Sequence, residues 1–397
     1  MEVMQGQYKD TKIGRIPKDW ELLPVGKCIL KKKFTVGKLS KKDYFKTGSF
    51  PIIDQSKTFV IGYTNQSELL YSGNLPAIIY GDHTNHVKYV DFPFVCGADG
   101  VKIIQPLTEL DNKFIYYSIF YRKPQSEGYK RHFSILKEKD LCIPPLPEQQ
   151  KIAEILSTLD EQISTTQAIV DKSKELKKGL MQKLFSEGIG HTEFKDTKIG
   201  RIPKDWEVVK ITDIGTVIDS LHQTPKFSDV GYPMVRVGDI NKSKLTLDSC
   251  LTVPKDVFEA FTKKHLPRKG DILITRVGSF GKTILVEDDS PFCLGQNTAV
   301  ITGVSNEKYA YYMLNSHPII KQIGVLTNGS TQPSLSLKEI RNIKISVGSK
   351  EEQQKIVDIL SEADAKIEKE EQEKAKLEEL KKGLMQQLLT GKKRVKV

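Results

Sequence analysis

The chain has 397 residues, enough for two medium domains with connecting segments. Its 61 lysines and arginines against 50 acidic residues leave a formal charge of +11, which points to a polyanionic partner, nucleic acid first and an anionic membrane surface second. No apolar run approaches the ~18 residues of a spanning helix, and the polar start, Met1–Asp10, has no signal pattern. Cys28, Cys96, Cys142, Cys250 and Cys293 are odd in number and include no Cys-x-x-Cys pair, which argues against a disulfide framework or zinc ribbon and for buried thiols in a reducing cytoplasm.

The first landmark in chain order is KDTKIGRIPKDWE (Lys9–Glu21), which recurs letter for letter at Lys195–Glu207, an offset of 186. A β-rich region with some helix follows. FPIID (Phe50–Asp54), LPAIIYGDHTNHVKYV (Leu75–Val90) and DGVKII (Asp99–Ile104) read as strands, and Phe114–Tyr121 reads as a helix. The prolines of IPPLP (Ile143–Pro147) end a strand before EQQKI (Glu148–Ile152), which opens a long amphipathic helix. Ile152, Ile155, Leu156, Leu159 and Ile163 recur there at three-to-four spacing, and Leu176, Leu180 and Leu184 resume the stripe.

After the second copy of the opening repeat, YPMVRVGDI (Tyr232–Ile240), GDILITRVGSFGKTILV (Gly270–Val286) and GQNTAVI (Gly295–Ile301) are β-branched runs broken by glycine. Tyr309–Leu314 and Ile319–Ile323 read as short helices. EQQKI returns at Glu352–Ile356 and ELKKGLMQ (Glu175–Gln182) at Glu379–Gln386, both at an offset of 204. In this second long helix the stripe is Ile356, Ile359, Leu360, Ala363 and Ile367, then Leu377, Leu380, Leu384 and Leu388. The two offsets differ by 18, so the second variable region is that much longer than the first. The pattern is a duplication: constant, variable, constant, variable, constant.

Helices spanning 148–185 and 352–389, each on the order of 55 Å at ~1.5 Å per residue, cannot bury an apolar stripe alone. Antiparallel, coiled-coil-like pairing is the simplest solution, with two independent helical hairpins as the alternative. The positions expected to pair or to meet partners are Ile152, Leu156, Leu159, Ile163 and Leu180 on the first helix. On the second they are Ile356, Leu360, Ile367, Leu384 and Leu388. Gly179 and Gly383 match and would permit close approach. The expected fold is α+β: two β-rich domains (1–147 and 189–350) separated by two long helices (148–188 and 351–397), related by a pseudo-two-fold repeat. The C-terminal helix is net acidic and the central one neutral, so the basic excess belongs to the two domains, the repeats and the tail.

Signatures of catalysis are weak. GSFGKT (Gly278–Thr283) resembles a phosphate loop, but Arg276 stands where that motif needs glycine. No Asn/Asp-Pro-Pro-aromatic motif and no G-x-S-x-G elbow occurs. Asp82, His83 and His86 lack a distant third ligand, so the loop reads as polar and not as a metal site.

The architecture resembles that of type I restriction–modification specificity subunits. The resemblance lies in the constant helices with EQQKI…LD near their starts, in LLTGKKRVKV (Leu388–Val397), in GQNTAVI, and in GSTQPSLSLKEIRNIKI (Gly329–Ile345). GDHTNHVKYVDFPFVCGADGVKII (Gly81–Ile104) is similar to one recurring target-recognition type, with CGADG where a GQN-type turn is expected. The resemblance implies a non-catalytic DNA-binding chain that reads one half of a split target with each variable domain. It also implies two methyltransferase subunits bringing S-adenosylmethionine, and translocase/nuclease subunits bringing ATP and magnesium dependence. No cofactor is expected in this chain. Lysine and arginine would neutralise phosphates, and polar groups on glycine-rich turns would read bases. The candidates are Asp82, His83, Thr84, Asn85 and Lys102 in the first domain. In the second they are Arg236, Arg276, Ser279, Gln296, Asn297, Ser330, Thr331 and Gln332. If both domains meet one face of a duplex, the half-site centres lie roughly one turn, ~10 bp, apart. Competing readings are a subunit serving a methyltransferase alone, a nuclease or methyltransferase with an unrecognised site, and a coiled-coil scaffold without a DNA role.

Overall fold

The computed structural model describes residues 8–31, 38–97, 100–125, 128, 130–240, 244–327 and 334–397. The chain divides into two compact units, Met1–Ala168 with Glu371–Val397, and Ile169–Glu370. Each unit therefore takes in one end of both long helices, because the apolar stripe at each helix end is part of a domain core.

In the first unit the KDTKIGRIPKDWE passage forms a hairpin of β1 (Tyr8–Thr11) and β2 (Gly14–Pro17). Gly14 turns the corner at φ +111°, in the left-handed region that favours glycine. β3 (Glu21–Pro24) follows. After a two-residue strand at Lys38–Leu39, the chain runs β4 (Phe50–Ile53), β5 (Gly62–Thr64), β6 (Ala77–Gly81), β7 (Val87–Val90), β8 (Val95–Gly97) and β9 (Val101–Ile104). β4 pairs antiparallel with β5 and parallel with β8. β6 is the centre of a second sheet between β9 and β7. Helix α1 (Asn112–Arg122) is capped by Asp111, which accepts from the Phe114 amide at 2.7 Å. β10 (Asp140–Ile143) pairs with β3, and α2 (Leu146–Glu187) begins with Pro147 in its first turn.

The second unit repeats this order. β11 (Phe194–Thr197) and β12 (Gly200–Pro203) form the hairpin, and β13 (Glu207–Lys210) follows. An extra edge strand, β14 (Thr216–Asp219), comes next. β15 (Tyr232–Val235) pairs antiparallel with β16 (Leu251–Val253) and parallel with β19 (Cys293–Leu294). Helix α3 (Lys255–Thr262) separates β16 from the hairpin β17 (Ile272–Thr275) and β18 (Thr283–Leu285). β20 (Thr298–Thr302) lies between β17 and β14. Helices α4 (Glu307–Leu314) and α5 (His317–Thr327) lead to β21 (Lys344–Val347), which pairs with β13, and to α6 (Lys350–Leu388). The run Tyr232–Ile240, expected as one strand, is β15 followed by a helical turn at Val237–Ile240, where Asp239 accepts from the Arg236 amide at 3.0 Å.

The continuous apolar runs in both domains have one cause. Successive side chains of a strand point to opposite faces. Ile78 and Tyr80 of β6 enter the helix-packed core with Trp20 and Phe114, while Ala77 and Ile79 enter a second core with Ile53 and Phe94. In the second unit Ile272 and Ile274 face the helices and Leu273 faces Val235 and Phe292. A sheet buried on both faces shows no polar alternation.

The long helices pack on each other within each unit. In the first, Ile152, Leu156 and Leu388 are buried in one core with Leu384 against them; Leu159 is buried and Ile163 half-buried. In the second, Ile356 and Leu360 share a core with Leu184 and Phe185, with Leu180 packed alongside and Ile367 buried. Asp160 meets Lys381 at 2.5 Å in the first unit, and Lys177 meets Asp364 at 2.5 Å in the second. Glu148 meets Arg394 and His191 meets Glu352 in the same two units. Numbers rise on one helix as they fall on the other, so the packing is antiparallel in both units, and neither helix folds back as a hairpin of its own. Among the described residues, a Cβ at Gly179 or Gly383 would meet nothing within 4 Å, so close helix approach is not what these glycines provide. All five cysteines are buried and unpaired, and burial pushes Cys28 up to about 11 and Cys96 and Cys293 up to about 12.

Leu156 and Leu360 are repeat mates, each fully buried in its own unit. Leu156→Ala and Leu360→Ala should each cost about 3 kcal/mol. Hydrogen exchange should show the first loosening α1 and β10 and the second loosening α4 and β21.

Candidate nucleic-acid interface

In each unit several of the candidate residues lie at one end of the sheet that faces the helices. In the first unit this end carries the β6–β7 loop, 82–86. Asp82 is buried: its carboxylate accepts from the Phe133 amide at 2.9 Å and lies 3.6 Å from the Lys102 ammonium. Asn85 is also buried, in the left-handed region at φ +57°. It accepts from the Tyr80 hydroxyl and donates to the Pro124 carbonyl at 3.2 Å. These two side chains therefore hold the loop in shape. His83, Thr84 and His86 are half-buried at its surface, with the His83 amide 3.2 Å from Gln55 Oε1 and the Thr84 hydroxyl bonded to the Gln55 carbonyl. The Lys102 side chain is 42% exposed beside the loop.

In the second unit the corresponding end carries the β17–β18 loop and the turn before β20. Gly278 and Gly281 take φ of +76° and +75°, and Thr275 Oγ1 donates to the Ser279 carbonyl at 2.5 Å. Arg276 ties the edge together. Its guanidinium pairs with Asp219 at 2.7 Å and donates to the Leu335 carbonyl at 3.2 Å, and its amide donates to the Asn297 carbonyl at 2.8 Å. His222 lies 2.7 Å from the other Asp219 oxygen. Asn297 sits at φ +66°, a backbone state that asparagine tolerates better than most residues. Gln296 beside it is exposed. Arg236, also exposed, lies over the Phe227 ring. The sequence candidates Asp82–Asn85 with Lys102 thus share one sheet end, and Arg276, Ser279, Gln296 and Asn297 share another. Ser330, Thr331 and Gln332 lie outside the described residues. Among the described residues no group of three His, Cys, Asp or Glu side chains is arranged to hold a metal ion.

The model of the type I restriction modification DNA specificity domain matches this chain twice, over residues 17–175 and 203–379. The chain belongs to that family. It is 28% identical to the type I restriction enzyme MjaVIII specificity subunit of Methanocaldococcus jannaschii, over 98% of this chain and 96% of the relative. It is 24% identical to the EcoR124I/EcoR124II specificity subunit of Escherichia coli, over 90% of this chain and 89% of that one. The fold is that of a type I restriction–modification S subunit from M. genitalium, with a TM-score of 0.57, 18% identity and coverage of 93% and 96%. No helix among the described residues is long and apolar enough to cross a membrane.

What holds this specificity subunit's recognition folds to its helices is a pair of repeated constellations that sequence reasoning missed. The indole N–H of Trp20 donates to Glu148 at 3.1 Å in the first unit, and that of Trp206 donates to Glu352 at 2.8 Å in the second. Glu148 and Glu352 are the first letters of the two EQQKI copies. The glutamine that follows each of them makes a repeated bond as well. Gln149 donates to the Pro144 carbonyl at 2.8 Å and Gln353 to the Gly348 carbonyl at 3.0 Å. A basic side chain completes each constellation. Arg394 donates to Glu148 at 2.7 Å and forks onto both oxygens of Asp19 at 2.8 Å. In the second unit His191 takes this place, 2.8 Å from Glu352 and 3.2 Å from Asp205.

The other constellation joins each domain to both helices. Tyr117 of α1 donates to Asp160 at 2.7 Å, and Lys381 lies over its ring at 5.4 Å. Tyr312 of α4 donates to Asp364 at 2.7 Å, with Lys177 over its ring at 5.2 Å. Burial first, then the neighbouring carboxylate, push both phenols well above the ordinary tyrosine range, so both stay protonated donors. The tyrosines sit in KFIYY and KYAYY at an offset of 195, between the 186 of the tryptophans and the 204 of the glutamates. The extra 18 residues are thus split evenly around α4. Because this third offset equals neither of the others, the match is hidden in the sequence.

Glu148 is only 2% exposed, so removing its guanidinium partner strands a buried charge. Arg394→Ala should cost about 3 kcal/mol. His191→Ala should cost about 1 kcal/mol, because Trp206 and the Ile189 amide still bond the less deeply buried Glu352. Hydrogen exchange at the first turns of α2 and α6 should show each variant loosening its own unit only.

Proposed function

We propose that this specificity subunit reads a split duplex target, one half with each unit. In this reading the chain does no chemistry and holds no cofactor. It directs two methyltransferase subunits carrying S-adenosylmethionine, and translocase/nuclease subunits that need ATP and magnesium, in the cytoplasm. The observation that carries the proposal is one scaffold built twice with different loops. Strand order, parallel pairing, tyrosine helix and tryptophan–glutamate lock recur, while the side chains at the sheet ends do not. A duplicated frame with dissimilar reading edges suits a target whose halves differ.

Apolar residues left exposed on both helices support paired partner docking. Leu176 and Leu380 are repeat mates, 61% and 50% exposed. Two matching patches suit two copies of one partner helix. Charge supports the division of labour, since α6 is net acidic and unsuited to phosphate tracking.

The test is to shorten both helices between the lock constellations. Removing Gln167–Ser173 together with Glu368–Lys374 takes ~10.5 Å from each helix, about 3 bp of duplex. Single-molecule methylome sequencing of a host expressing the variant with its methyltransferase should return both half-sites unchanged and a shorter spacer. An altered half-site at constant spacing would refute the proposal. A purified chain that transfers methyl groups from labelled S-adenosylmethionine to DNA unaided would refute the division of labour.

A further inference from the structure

Three loops of the first unit bring two lysines and a histidine together next to the reading edge. The loop after β4 carries Lys57, the β6–β7 loop carries His86, and the segment after α1 carries Lys123. Specific bonds fix them to one another. The Thr84 hydroxyl bonds the Gln55 carbonyl, and the buried Lys88 ammonium donates to the carbonyls of Asp54 at 2.8 Å and Thr58 at 2.6 Å, on either side of Lys57. Asn85 donates to the carbonyl of Pro124, next to Lys123, at 3.2 Å. Lys123 is half-buried with its ammonium 4.5 Å from the centre of the Phe120 ring, so its stem is held in place. Lys57 is exposed.

Lys88 has a counter-ion, Asp54, at 3.8 Å. Among the described residues no carboxylate pairs with Lys57 or Lys123. Burial, followed by the charges of Lys123, Lys88 and Lys57, holds the His86 imidazole below its ordinary range, and no acidic group offsets them. A preorganised positive field with one internal counter-ion is the electrostatic signature of a missing anion.

Building on the DNA-recognition reading, we propose that Lys57, His86 and Lys123 form a clamp for a backbone phosphate of the duplex. The loop that shapes the reading edge then also supplies its register: the phosphate docks on the cations, and the surface of loop 82–86 faces the adjoining base edges. Contacts to phosphate position a protein on DNA, and contacts to bases specify the sequence. His86 can donate an N–H to the same oxygen.

The experiment measures how duplex affinity falls with salt, using the full chain in its methyltransferase complex and a non-cognate duplex of about 40 bp. Each phosphate contact contributes about 0.9 to the slope of log K against log salt. Lys57→Ala and Lys123→Ala should each lower the slope by about 0.9 and the pair by about 1.8, while Lys355→Ala on α6 leaves it unchanged. Circular dichroism melting of the variants should match the parent chain, since neither lysine is buried in a core. If the parent complex binds with a steep slope and the double variant keeps it, the clamp is refuted and DNA recognition stands. If the parent shows no salt-dependent duplex binding, the recognition reading fails and the clamp with it. Inorganic phosphate at matched ionic strength should not displace the duplex. Displacement that disappears in the double variant would mean that the site takes free phosphate and would overturn the proposal.

Discussion

The indole–carboxylate bond at the start of each long helix is the constraint on which the rest depends. A glutamate in the first turn suits the helix dipole. Here it also accepts a hydrogen bond from a buried tryptophan of the opening repeat, so the start of the helix and the start of the recognition domain are fixed to one point. Burial makes the bond consequential. Glu148 is almost wholly out of solvent, and a carboxylate there needs both its indole donor and its cationic partner. The two ends of the first unit's sequence meet at that point, through Asp19 and Arg394. In the second unit an unbroken stretch of chain brings His191 to the matching place.

The locks leave the turns at the sheet ends free to diverge. A recognition domain anchored by tryptophan, tyrosine and helix contacts, all on the helix-packed side, keeps its orientation whatever its turns contain. The second unit illustrates this. It adds an edge strand, β14, and a helix, α3, and its β17–β18 loop shares no motif with the GDHTNH loop of the first, yet the parallel pairing of β4 with β8 recurs in β15 with β19. The guanidinium in one lock and the imidazole in the other show that the frame places a nitrogen-bearing side chain between the helix glutamate and the aspartate of the opening repeat, and that its chemical type is secondary.

The local code was readable where periodicity or identity made it loud. The three-to-four spacing of Ile152, Leu156 and Leu159 marks a helix. The β-branched runs around Ile78 and Leu273 mark strands, and glycine, asparagine and histidine clusters mark turns. The roles of individual polar residues were not readable. Asp82 and Asn85 stand in a loop that composition marks as DNA-facing, but the segment 124–133, far along the chain, supplies the bonds that turn them inward. Arg276, a natural guanine reader by residue type, is spoken for by Asp219, some fifty positions earlier. Lys57 and Lys123 carry no motif at all, and only the folding of three loops onto one another brings them together.

By itself the sequence determined the duplication, the two long helices, the α+β character of the variable regions and the family, because repeats and apolar periodicity are properties of neighbouring residues. Only the tertiary structure decided which end of each helix belongs to which unit, which polar side chains hold the turns at the sheet ends, and that the tyrosine helices are a third repeated element. Those outcomes depend on partners far apart in the chain, such as Asn85 with Pro124, Trp20 with Glu148 and Asp160 with Lys381. Pairings at that range leave no local signal, because burial and hydrogen bonding arise only once the chain has closed on itself.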